Sequence, residues 1–91
     1  MLEAEKMMFR QKATKFLDSA KIFITEKEAE NIIVEDFGLG KPEVFGVQMV
    51  FFVDTERCGA KEVVLFPNQA VPEHVHPDYN GQIGKEETFR C

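Results

Sequence analysis

The 91-residue chain has room for one domain at most, since domains run from about 50 to 250 residues. Its composition is globular, 44% hydrophobic, 11% aromatic and 30% charged, with six Gly and four Pro, which argues against a low-complexity or disordered chain. The net charge is −5 with acids and bases interleaved, so the basic stripe through which nucleic-acid binders contact phosphates is missing.

The first predicted element is an amphipathic helix over residues 2–20. Phe9, Ala13, Phe16, Leu17 and Ala20 recur at three- and four-residue spacing, with charged residues filling much of the rest. Glu3, Glu5 and Lys6 stand where a signal peptide needs an apolar run, so a cytoplasmic chain is expected. A second helix is predicted to open at Thr25, where Thr25 and Glu28 have capping-box spacing, and to end near Ile33. Gly38, Gly40 and Pro42 then punctuate a turn. Residues 44–54, rich in Val and Phe, read as a strand. The uncharged part of that run, ten residues from 44 to 53, is well short of the roughly 20 a membrane span needs. Cys58, Gly59 and Ala60 form a second turn, residues 61–66 a further strand, and Pro67 ends it. Residues 71–76 are expected to be extended, because Pro72 and Pro77 both bias the residue before them to β or polyproline geometry. A last strand is predicted over residues 86–91. Helices followed by antiparallel strands make the fold class α+β, mainly β. Cys58 and Cys91 are far apart and read as free thiols.

Both histidines of the chain lie in Glu73-His74-Val75-His76-Pro77. Side chains at i and i+2 of an extended strand share a face, so the two imidazoles project side by side, which suits two ligands on one metal ion. A strand returning after the 77–85 loop brings a carboxylate towards them. Strand parity favours Glu87, which shares a face with Phe89 and Cys91, over Glu86, which shares one with Thr88 and Arg90. A carboxylate facing an apolar interior needs a partner, and a metal ion held with two imidazoles is one. The residues leave a second reading open, with both histidines exposed in a loop and Glu87 paired to Arg90 or Lys85.

Longer words in the sequence resemble one family. Lys61-Glu-Val-Val-Leu-Phe-Pro-Asn-Gln, Pro72-Glu-His-Val-His-Pro and Gly84-Lys-Glu-Glu-Thr-Phe-Arg-Cys resemble the D-lyxose isomerases, members of the cupin superfamily. Asp36-Phe-Gly-Leu-Gly and the Thr25-Glu-Lys-Glu helix start resemble the same family's N-terminal region. The resemblance implies a jelly-roll-like β-barrel holding one divalent ion through three His and one Glu. Manganese is expected first, with Zn, Fe, Co and Ni as alternatives. Carried over by position, His74, His76 and Glu87 are three of the ligands, and the remaining His belongs to a second motif that this sequence does not contain. Family members are about twice this length. The expectation is therefore a single incomplete domain, with residues 1–35 a helical segment and residues 36–91 the first half of the barrel, inactive as a fragment.

The implied reaction is aldose–ketose isomerisation, D-lyxose to D-xylulose, by proton transfer between C1 and C2, with D-mannose as a further sugar. Lys61 and Lys85 are the candidate acids or oxygen-binding cations, and Lys85 shares the face of Glu87. The expected partners are a small sugar and a second copy of the chain, since a half-barrel leaves strand edges unpaired. No nucleic acid or membrane is expected. The alternative function is a non-catalytic cupin module that binds a metal or a sugar.

Overall fold

The amphipathic spacing near the N-terminus forms a helix, α1 (Glu3–Ser19), in the computed structural model, which describes residues 1–74, 81, 87 and 88. Ala13 and Leu17 are buried, and Phe9, four residues before Ala13, packs half-buried on the same stripe. Glu3 and Glu5 in the first turn complement the positive end of the helix dipole. The helix closes in a Schellman motif: Ile22 N–H donates to Leu17 O at 2.9 Å and Lys21 N–H to Asp18 O at 2.9 Å. Lys21 takes the left-handed conformation, φ +61°, that this motif requires.

The second helix, α2 (Glu26–Glu30), begins with the expected capping box. Thr25 Oγ1 accepts from Glu28 N–H at 3.0 Å, and a Glu28 carboxylate oxygen accepts from Thr25 N–H at 2.8 Å. It does not reach Ile33 as expected. Ile32, Ile33 and Val34 are consecutive β-branched residues whose χ1 freedom a helix restricts, and they enter a short strand instead. That strand, β1 (Ile33–Glu35), was not anticipated.

Three antiparallel strands follow the order β1-β2-β3, with β2 at Val47–Asp54 and β3 at Gly59–Val64. β2 starts three residues later than expected because residues 41–45 turn, with Val44 and Phe45 N–H both donating to Lys41 O. β3 starts earlier, since the β2–β3 hairpin closes at Thr55: its N–H donates to Cys58 O at 2.8 Å and its Oγ1 accepts from Cys58 N–H at 3.1 Å. Gly59 and Ala60, expected in the turn, are thereby paired. β3 also stops at Val64, two residues short of the expected Phe66.

The α+β class holds. Strand is not in excess among the described residues, because α1 is as long as the three strands together. Register puts Val34, Gln48 and Val64 on one face, with Val50 beside them, and this face meets α1. Ala13, Leu17, Ile32, Val50, Val64 and Phe66 form the core. Phe66 stacks on Phe9, with centroids 6.2 Å apart, and meets Phe16 edge-on at 5.9 Å. The Lys12 ammonium lies 4.4 Å from the Phe66 centroid. Arg10 ties α1 to the entry of β1 by donating from Nε to Ile32 O at 2.9 Å. The opposite face of the sheet carries Ile33, Met49 and Val63 in one row and Phe51 with Lys61 in the next.

After β3 the chain makes a tight turn over residues 66–69. Pro67 supplies its fixed φ, Asn68 sits at φ +69°, and Gln69 N–H donates to Phe66 O at 3.0 Å, the pattern of a type II turn. The returning segment lies parallel to the chain before β2, where Ala70 N–H donates to Val44 O at 2.7 Å and Gly46 N–H to Ala70 O at 3.1 Å. Two amides, Gln48 buried and Gln69 half-buried, lock this contact. Gln48 Nε2 donates to Gln69 Oε1 at 3.0 Å while Gln69 Nε2 donates to Gln48 Oε1 at 2.9 Å. Their second hydrogens go to Val64 O and Pro42 O, and Gln69 Oε1 also accepts from Phe66 N–H. Gly46 leaves room for the pair, since a Cβ there would run into Pro42 O and Gln69 Nε2.

Candidate metal-binding site

The locked turn leads into residues 71–74, which lie in neither helix nor strand and close the continuous run of described residues. His74 is exposed there, and its Nδ1 lies 2.8 Å from Pro72 O. A carbonyl oxygen only accepts, so Nδ1 is the donor in this contact and Nε2 is the nitrogen left to act as a metal ligand in the neutral ring. That is the usual condition of a metal-binding imidazole, whose non-ligating nitrogen donates to a carbonyl or carboxylate. The donor chemistry of His74 therefore fits a divalent ion.

The His74 ring also meets Phe37, with centroids 5.8 Å apart and planes tilted by 35°. Phe37 is half-buried and adopts φ +56°, a left-handed conformation that costs an L-residue about 1–2 kcal/mol. The bend after β1 holds it: Phe37 N–H donates to a Glu35 carboxylate oxygen at 2.9 Å, and Gly38 N–H to Asp36 Oδ1 at 2.9 Å. Gly38 and Gly40 continue the bend at φ +72° and +70°. Sequence reasoning passed over Phe37, Gln48 and Gln69. For Phe37 the available signal was an aromatic residue between Asp36 and two closely spaced glycines, where a left-handed position is common.

Of the other expected site residues, His76 and Lys85 lie outside the described residues, as does Glu86. Glu87 and Thr88 are described; both are exposed and neither is in a strand, so the inward-facing strand position expected of Glu87 is not found. Among the described residues no three His, Cys, Asp or Glu side chains are grouped as a metal site, and His74 and Glu87 are the two expected ligands in that set. Lys61 is half-buried on β3. Its ammonium lies 5.0 Å from the ring centroid of Phe51, its cross-strand neighbour. Cation–π attraction accounts for that placement without a substrate.

An open groove of about 620 Å³ lies between α1 and α2, lined by Met7, Arg10, Thr14, Lys15, Glu26 and Ala29 among others. None of the expected site residues lines it. No helix among the described residues is long and apolar enough to cross a membrane.

No protein-family model matches the chain. Over its whole length it is 51% identical to the D-lyxose/D-mannose isomerase of Thermosediminibacter oceani, covering 51% of that protein. Over 90% of its length it is 50% identical to the D-lyxose ketol-isomerase of Thermofilum sp. and 46% identical to that of Cohnella laeviribosi, covering 46% and 45% of those proteins. The chain spans about half the length of the curated relatives it matches. With about one residue in two shared along nearly its whole extent, the chain is a homologue of about half of each of these D-lyxose isomerases.

Proposed function

We propose that the protein takes part in metal-dependent isomerisation of D-lyxose to D-xylulose, with D-mannose as a second substrate, and that residues 36–91 contribute half of a cupin barrel. The observation that carries this reading is the 46–51% identity to three proteins named for the isomerisation of D-lyxose. The Nδ1 contact of His74 supports the metal part, because it presents Nε2 as a donor.

In this reading His74, His76 and Glu87 hold one divalent ion, manganese in preference to Zn, Fe, Co or Ni, with a further ligand from outside this sequence. The ion supplies Lewis acidity to substrate oxygens and stabilises the negative charge that develops on them. The protein must then remove a proton from C2 of the aldose and return one to C1, so that an enediol separates the two sugars. Lys61 and Lys85 are proposed as the cations that bind or protonate the sugar oxygens. An ammonium serves that role as a compact point charge with three donors. Lys61 is suited to it by its position, half-buried beside Phe51, which limits the water competing for its charge.

Activity of the full-length gene product loaded with Mn²⁺ tests the reading. Conversion of D-lyxose to D-xylulose is expected, with a loss of at least about a hundred-fold in His74→Ala, since even partners of metal ligands cost 10- to 100-fold. Metal-loaded protein that leaves both D-lyxose and D-mannose unchanged would refute it.

A further inference from the structure

Three residues other than glycine have positive φ among the described residues: Lys21, Phe37 and Asn68. Lys21 closes the Schellman motif of α1, and Asn68 occupies the turn position for which asparagine is suited. The bend after β1 gives Phe37 no comparable reason, because Gly or Asn would make the same backbone hydrogen bonds with less strain. Among the described residues, the aromatic side chain adds a ring contact with His74.

We propose that Phe37 is a positioning residue for the His74 imidazole. The ring of Phe37 bears on the imidazole at 5.8 Å between centroids, and the Pro72 carbonyl holds Nδ1 at 2.8 Å, so both contacts restrain the imidazole before a metal ion arrives. An imidazole oriented in advance loses less rotational freedom on binding a metal ion, and the affinity is correspondingly higher. Phe37 does not touch the reacting atoms; it acts through His74. The inference rests on the proposed role of His74 as a metal ligand. It extends that role to a residue in a separate loop, 37 positions earlier in the chain.

The experiment is a Mn²⁺ titration of the full-length protein, with free Mn²⁺ followed by its paramagnetic resonance signal, on wild type, Phe37→Asn and Phe37→Tyr. Asparagine tolerates the left-handed backbone while removing the ring, and tyrosine keeps the ring. Phe37→Asn is expected to bind Mn²⁺ about ten-fold more weakly. Its metal-free thermal midpoint is expected to be no lower than wild type, and Phe37→Tyr is expected to bind like wild type. In the metal-free protein, the His74 ring protons should carry a ring-current shift that Phe37→Asn removes. Equal Mn²⁺ affinity in wild type and Phe37→Asn overturns the inference alone. So does a loss of affinity matched by a fall in the thermal midpoint, which marks a structural role. Wild-type protein that takes up no Mn²⁺ overturns the metal reading of His74 and this inference with it.

Discussion

Gln48 has no exposed surface, yet it sits in a strand otherwise made of Val, Met and Phe up to its terminal Asp54. Burial of an amide is costly unless all its polar atoms are bonded, and here the reciprocal pair with Gln69 meets that condition. No buried side-chain polar atom among the described residues lacks a partner. Replacing one member strands the other, so Gln48→Leu and Gln69→Leu are each expected to cost about 1–3 kcal/mol. The double variant should cost less than the sum, because the orphaned amide is gone as well. Urea unfolding of the three variants checks this, and strictly additive losses would rule out the coupling. The pair was illegible in the sequence because nothing in a lone Gln within a strand names a partner 21 residues away. Gly46 was equally silent, since its need for a missing Cβ arises only when Pro42 and Gln69 converge on it.

At the scale of elements, local signals were readable where the stabilising contacts are local. The α1 stripe, the Thr25 capping box and the turn that closes the β2–β3 hairpin all rest on residues a few positions apart. The five-residue α2 depends heavily on its cap, because it buries no residue of its own and is far shorter than a helix stable in isolation. Thr25→Ala is therefore expected to cost about 1 kcal/mol. Amide exchange should show the loss as faster opening of residues 28–30, and unchanged protection there would count against the cap. β1 escaped sequence reasoning because three residues are too few for a period-two pattern, and its partner lies beyond a long bend. The choice of Glu87 over Glu86 depended on parity within an expected strand over residues 86–91, and its described residues, Glu87 and Thr88, are not in a strand.

For the whole molecule, α1 and the sheet share one core, and the turn that carries the 71–74 segment is anchored to it through Phe66. Leu17 stands in that core, buried to 4% exposure. Leu17→Ala is expected to cost about 2–5 kcal/mol. For a chain of this size that is a large fraction of the total stability. A thermal or urea midpoint indistinguishable from wild type would show that α1 contributes little to the core. Because Phe66 rests on α1, the same variant should also loosen the segment ending at His74.

The sequence by itself determined the α+β class, the helix starts, the central hairpin and, through its longer words, the likeness to the D-lyxose isomerases. Each of these follows from short-range periodicity, capping chemistry or runs of identical residues, which need no knowledge of distant neighbours. It also marked His74 as a donor. The tertiary structure decided the rest: the strand at residues 33–35, the amide pair that locks the turn after β3, and the meeting of Phe37 with His74. All three join segments separated by more than ten residues, and such contacts form only when burial of a common core brings those segments together.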